Sequence, residues 1–226
     1  MCAAVAAEHW LVADAVAAAL RSRGIEPRIL RWPRTGPPAA RRSAESPTYD
    51  VGLVVSDLDS WPRLRATERL LRAVPTRWAV LTGAPVGARW GAAYEYGAAA
   101  VLPSTASLDD VVGVLLLLSR GYDVTPREER DARRHDWALA LGERAALRAR
   151  VQSLTERERQ VLGLLYDGET IAQISSLFGV SPATVRSQVK AILHKLEVNS
   201  QLGAVAAYRA ALEADVANGE GQQVRS

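Results

Sequence analysis

An α/β domain built on a parallel sheet, followed by an all-helical domain, is the architecture this 226-residue chain predicts. Three observations carry it. Short β-like runs alternate with helical segments as far as Arg120, the pattern of a parallel sheet covered on both faces. From Leu154 onward no strand-like run occurs, and short helices follow one another, each bracketed by a capping residue and a glycine. Between the two lies a segment that opens with the breaker cluster Gly121 to Pro126 and then turns charged and helix-like. The expected divisions are an α/β domain over 1–120, a partly helical linker over 121–152, a helical domain over 153–214 and a disordered tail over 215–226.

In the first domain, Cys2 to Ala6 is a short strand despite its alanines, which are poor strand formers. His9 to Arg23 has helical spacing and stops at Gly24. Arg28 to Trp32 is a weak strand, and Pro33 to Pro47, rich in Pro, Arg and Ser, is a loop. Val51 to Ser56 is a buried strand, Trp61 to Ala73 a helix, Trp78 to Thr82 a strand and Val86 to Tyr96 a helix. Ala99 to Leu102 is the fifth strand. Leu108 to Arg120 is a last helix with apolar residues all round, Val111, Val112, Val114 and Leu115 to Leu118. A helix on a sheet needs one apolar stripe, so the excess predicts a partner surface, most simply a second copy of the chain. The result is a doubly wound, five-stranded parallel sheet, whose functional groups should collect at the carboxyl ends of its strands.

In the second domain, Thr155 caps a helix and Glu158 completes a capping box. Val161, Leu162, Leu164 and Leu165 form its apolar side, and Gly168 ends it. Thr170 caps the next helix, with Ile171, Ile174, Leu177 and Phe178 on its apolar side, and Gly179 ends that one. After Val180, Ser181 caps a third helix with Pro182 at its first position. Its buried stripe is Val185, Val189, Ile192, Leu193 and Leu196, and the other side shows Thr184, Arg186, Ser187, Lys190 and His194. Two helices joined by so short a turn make a helix-turn-helix unit, whose second helix presents a polar face to a major groove. The only two lysines of the chain, Lys190 and Lys195, both fall in that helix. From Val151 onward seven Lys or Arg face eight Asp or Glu, so the case for DNA rests on where charge sits and not on its sum. A last helix over about Leu202 to Leu212 has an apolar stripe of Ala204, Val205, Tyr208 and Leu212.

The segment from Leu154 to Tyr208 resembles the DNA-binding domain of LuxR-type (NarL/FixJ) bacterial transcription regulators. The family's LTxRExxVL opening is matched by Leu154, Thr155, Arg157, Glu158, Val161 and Leu162. Gly168, Ile174, Val180, Ser181, Thr184, Val185, Ile192, Lys195, Leu196 and Val198 continue the match. Two positions depart from it: Gln188 stands where a His is usual, and Gln201 where an Arg is usual. The resemblance implies base-edge contacts from Arg186, Ser187 and Lys190, and phosphate contacts from Thr184, Lys195 and Gln201. It also implies a homodimer on a two-fold DNA site, paired through the last helix. The alternative for that helix is packing against its own domain.

The first domain resembles a response-regulator receiver, which precedes the LuxR-type domain in the same family. A receiver binds Mg²⁺ through two acids after its first strand and phosphorylates an Asp at the end of its third. It completes the site with a Thr or Ser after strand four and a Lys after strand five. Here the acid pair is Ala7 and Glu8. Counted from Asp50 the acceptor position is Val55, and a strand two residues longer places Asp57 there. Thr82 matches the hydroxyl, and Ser104 stands at the Lys position. The resemblance therefore implies an atypical, degenerate receiver that does not depend on phosphorylation, with no metal or cofactor unless an active site recruits Mg²⁺. The alternative is a conventional two-component regulator phosphorylated on Asp57. For Asp57 and Asp59 the bland reading is a solvated loop or a helix cap, and for Glu8 a helix-start carboxylate.

Composition removes other classes. Three dispersed histidines and one cysteine build neither a zinc site nor a Cys–His pair, so no enzyme is expected. The lone Cys2 fits a reducing compartment and a cytoplasmic protein. The alanine-rich start lacks a basic region and is broken by Glu8, His9 and Asp14, and Leu115 to Leu118 is far too short to span a membrane. A net charge of +3 does not make a general polyanion binder. RNA polymerase is a candidate partner. The helix-turn-helix unit could alternatively dock polymerase in the manner of a sigma-factor end, but no core-binding region accompanies it. A small-molecule pocket lined by Trp10, Trp32, Trp61, Trp78, Trp90, Tyr94 and Tyr96 is a further alternative, and core packing is the plainer role for aromatics at these spacings.

Overall fold

The computed structural model describes residues 1–33 and 48–222, with side chains as far as residue 212. From residue 34 on, the expected loop before residue 48 lies outside the described residues. Two compact units result, Met1–Ala140 and Leu141–Ser226.

The first unit is a five-stranded, wholly parallel sheet in the order β2-β1-β3-β4-β5, formed by β1 (Cys2–Ala7), β2 (Glu26–Ile29), β3 (Val51–Val55), β4 (Trp78–Thr82) and β5 (Ala98–Pro103). Against its faces pack α1 (Trp10–Arg21), α2 (Trp61–Ala73), α3 (Ala88–Glu95) and α4 (Leu108–Ser119). The alanine-rich β1 forms because it is central, with β2 bonded along one edge and β3 along the other, and Ala3 to Ala7 are buried. Burial between two neighbours overrides weak intrinsic preference. The second strand starts earlier than the expected Arg28 and ends at Ile29. Its Pro27 reads as a breaker, yet β2 is an edge strand and tolerates a missing donor on its open side.

One face of the sheet buries Trp78, Trp90 and Tyr94 with Leu58, Leu64 and Leu70; the other buries Leu20, Val111, Leu115 and Leu118. Each fully buried leucine there stabilises the fold by roughly 1.5–3 kcal/mol. The Trp78 indole lies across Gly52 on the neighbouring strand, where a Cβ would come within 2.3 Å of the ring, so only glycine fits. The aromatics accordingly do not line one cavity. Three sit in the core, while Trp10 and Trp32 border a crevice with Arg31, Arg63 and Arg69. On α4, Leu116 and Leu117 remain 37% and 42% exposed, so part of the apolar excess does face outward.

A 26-residue helix, α5 (Arg127–Gln152), spans the boundary between the units. Its first half belongs to the first unit: Trp137 is buried, packs tilted against Trp61 with ring centroids 5.4 Å apart and lies beside Gly91 of α3. Its second half supplies Leu147 and Val151 to the second unit's core. The expectation that this helix packs on one domain is thereby corrected to a helix that serves both cores.

The second unit comprises α6 (Glu156–Tyr166), α7 (Ile171–Phe178), α8 (Pro182–Leu196) and α9 (Gln201–Gln222) around Leu162, Ile174, Val185, Ile192 and Leu196. The last helix runs past Leu212 to Gln222, which corrects the expected tail over 215–222, while residues 223–226 of it lie outside the described residues. Residues 213–218 hold no proline or glycine and favour continued helix. Among the described residues no helix is long and apolar enough to cross a membrane.

Candidate nucleic-acid interface

The geometry of α8 is set by what precedes it. Thr170 Oγ1 accepts from the Gln173 backbone while Gln173 Oε1 accepts from the Thr170 N–H at 2.8 Å, a reciprocal box that starts α7. Gly179 ends α7 in the left-handed region at φ +64°, and the Val180 N–H reaches back to the Ser175 carbonyl. Ser181 then caps α8: its Oγ accepts from the Thr184 N–H at 3.1 Å and lies 2.9 Å from the Thr184 hydroxyl. Pro182 occupies the first turn at no cost in donors. Val185, Val189, Ile192 and Leu196 anchor one face in the core.

The opposite face is exposed at Thr184, Arg186, Ser187, Lys190 and His194. Arg186 and Lys190 are four residues apart and so project from one side of the helix, with Ser187 beside them. No salt bridge among the described residues ties up either cation. Of the expected phosphate-holding groups, Thr184 sits in the N-terminal turn with its hydroxyl against Ser181, and Gln201 is exposed at the first turn of α9.

Lys195, expected to hold a phosphate, is paired within its own unit. Its ammonium donates to Glu158 Oε2 at 2.7 Å, and that carboxylate also accepts from the Thr155 N–H at 2.8 Å. One buried carboxylate thus caps α6 and braces α8. Burial pushes the Glu158 carboxyl up, but the Lys195 and Thr155 bonds outweigh it and hold it below the usual carboxylate range. Sequence patterns reveal the capping half of this arrangement and not the brace, because Lys195 lies 37 residues away. Arg157, set 3.4 Å over the Phe178 ring, similarly ties α6 to α7, and Arg150 pairs with Glu197 at 2.5 Å. On α9 the core contacts come from Ala204, Ala207 and Ala211, with Val205 and Tyr208 half-buried against the same core, so most of the expected stripe packs within its own unit.

The residues expected at a receiver site gather at the carboxyl edge of the sheet in the first unit. Glu8 follows β1, Asp57 and Asp59 follow β3, Thr82 ends β4 and Ser104 follows β5. Asp57 is exposed, and its Oδ1 would lie 2.9 Å from a Cβ on Gly83. The buried Thr82 Oγ1 accepts from the Ala84 N–H, and the Ser104 N–H donates to the Thr82 carbonyl. Glu8, just before the start of α1, and Asp59, in the loop before α2, are exposed as expected, and both are in addition bound by Arg63. The Asp59 carboxyl is held below its ordinary range by its hydrogen bonds to that guanidinium, whose own pKa is raised in turn. Nothing local in the sequence marks Arg63 except its i,i+4 spacing from Asp59. Among the described residues, no group of three or more His, Cys, Asp or Glu is disposed to hold a metal ion.

Comparison with known proteins matches the second unit by sequence. Residues 152–208 match the family described as bacterial regulatory proteins, luxR family. The transcriptional regulatory protein DesR of Bacillus subtilis (strain 168) is 38% identical over 52 residues, which is 23% of this chain and 26% of DesR. The chain therefore aligns with about a quarter of the length of that relative. Among solved structures, the response regulator ChrA of a heme-sensing two-component system aligns over 92% of this chain and 96% of its own, at 20% identity and a TM-score of 0.43. The response regulator RcsB of Salmonella typhimurium aligns over 91% and 96%, at 17% identity and a TM-score of 0.42. The helical unit that follows α5 thus carries a domain of the luxR family of bacterial regulatory proteins.

Proposed function

We propose that this chain is a sequence-specific, DNA-binding transcription regulator that acts as a homodimer and is governed by a first unit working without phosphoryl transfer. The observation that carries the reading is the exposed side of α8, where Arg186, Ser187 and Lys190 stand clear of any ion pair on a helix anchored by four core residues. A helix so held can lie in a major groove, with Arg186 and Lys190 meeting guanine O6 and N7. Thr184 and Gln201, at the first turns of α8 and α9, are placed to hold phosphates. The luxR-family match and the name of DesR as a transcriptional regulatory protein support the same function. Double-stranded DNA with a two-fold site is the partner, RNA polymerase a further one, and the cytoplasm the compartment.

For pairing, the exposed Leu116 and Leu117 on α4 are the better candidates than α9, whose stripe is largely spent on its own core. The first unit is read as independent of phosphate because Ser104 stands at the Lys position and Arg63 engages Glu8 and Asp59. The chain is read as a regulator and not as an enzyme.

Selection of binding sites from a random duplex pool tests the reading. The wild type should enrich one two-fold motif, and Arg186→Ala with Lys190→Ala should abolish the enrichment while the fold persists. Failure of the wild type to retain any duplex at low salt would contradict it. Phosphorylation on Asp57 is the rival, and a mass gain that disappears in Asp57→Ala would establish it.

A further inference from the structure

The receiver resemblance implies Mg²⁺ between acids at the carboxyl edge of the sheet, and the residues present do not fit it. We propose that Arg63 is a tethered cation that takes the place of that metal, closing the edge to divalent ions. The proposal rests on the reading of the first unit given above.

Arg63 lies on the first turn of α2, directly after the β3 loop. Its Nε donates to Glu8 Oε2 at 2.5 Å, and its Nη1 reaches Asp59 Oδ1 and Oδ2 at 2.7 and 2.6 Å. One planar fork therefore joins a carboxylate after β1 to a carboxylate after β3, the two strands that are hydrogen-bonded neighbours in the sheet. The guanidinium side chain is 28% exposed, less than either acid it binds. The third acid, Asp57, lines the same crevice as Glu8 and Arg63. A Mg²⁺ ion there would need near-octahedral oxygens at about 2.0–2.1 Å. It would have to displace three charge-assisted hydrogen bonds and leave the fixed positive charge of Arg63 beside a dication.

The loop between the acids is held from its other side as well. Arg89 at the start of α3 donates to the Leu58 carbonyl, and buried Leu58 sits in the left-handed region at φ +55°. A non-glycine residue stays there only when its surroundings fix it. Two arginines from two helices thus hold the segment between Asp57 and Asp59. The sheet edge gets its positive charge from α2 and α3, whereas the resemblance calls for a metal and a lysine after β5.

Thermal unfolding of the full chain with and without millimolar MgCl₂ or MnCl₂ tests the inference. The wild type and Arg63→Lys should show no metal-induced shift. Arg63→Gln, which frees Glu8 and Asp59, should gain a rise of a few degrees in its midpoint, and Glu8→Gln added to it should remove that rise. A metal-induced rise in the wild type, or none in Arg63→Gln, overturns the proposal. Should Arg63→Gln not fold in metal-free buffer, the proposal requires it to refold when MgCl₂ is supplied, and failure to do so is equally decisive. Phosphoryl uptake is read separately by intact mass. A wild type that gains a phosphoryl group without a thermal response to metal contradicts the functional reading and leaves the arginine's role standing.

Discussion

Glu158 does the work of two residues, and its substitution separates them. Its side chain is 10% exposed and holds both the start of α6 and the Lys195 ammonium. Lys195→Met would leave the carboxylate buried with its cap alone, and a loss of about 2 kcal/mol is expected, measured by urea unfolding of the full chain. If Lys195 served DNA alone, stability would not move and only binding would fall. The depressed pKa of Glu158 also sets a pH dependence. The folded value lies below the unfolded one of about 4.3, so the stabilisation is complete above that pH and is lost as pH falls through the lower folded value. The second unit should therefore loosen in acid, below about pH 4, as followed by far-UV circular dichroism. Lys195→Met should blunt that acid step. At the interface itself, Arg186→Ala should cost about 1–3 kcal/mol against the preferred site and relax the base preference at one position. Gln201→Ala should weaken binding about equally for all sequences, because a phosphate contact reads no base.

At the scale of elements, the devices legible in the sequence were the local ones. Thr155, Thr170 and Ser181 cap helices, Gly179 takes the left-handed turn and Pro182 opens α8, because each acts within four residues of itself. What was not legible depended on partners far along the chain. The edge position of β2 makes Pro27 harmless, and the Glu158–Lys195 and Glu8–Arg63 pairs join separate elements. The role of α5 falls in the same class: its pattern of Trp137, Ala140, Leu141 and Val151 shows a face, but not that Trp137 and Val151 enter different cores. Gly91 is what lets α5 approach α3, since a Cβ there would lie 1.9 Å from the Arg133 carbonyl oxygen. Gly91→Ala should push the first half of α5 away and cost about 1–3 kcal/mol. The measurable sign is a change in tryptophan fluorescence as the Trp61–Trp137 contact opens. Unchanged emission with unchanged stability would mean that the helix accommodates the methyl by sliding.

At the scale of the molecule, a charge of +3 over 226 residues leaves little for non-specific attraction to DNA. Affinity must come from a few placed cations, so binding should fall with salt along a modest slope set by the phosphates contacted. A slope as steep as that of strongly basic DNA-binding proteins would mean that the arginines of the first unit or of α5 also meet the duplex. Regulation is the other whole-molecule property. Glu8, Asp57, Thr82 and Ser104 lie at one edge of the sheet, as the topology requires, and there Arg63 holds Glu8 and the neighbouring Asp59. On the proposed reading of the first unit, its input is something other than phosphate.

The most direct measurement takes the duplex selected by the wild type. It compares binding before and after incubation with Mg²⁺ and a small-molecule phosphodonor, with intact mass recorded on the same samples. The account predicts specific binding that Arg186→Ala weakens, one unchanged mass and one unchanged affinity. A phosphoryl gain that is absent from Asp57→Ala and shifts the affinity would contradict it, as would the absence of any specific duplex.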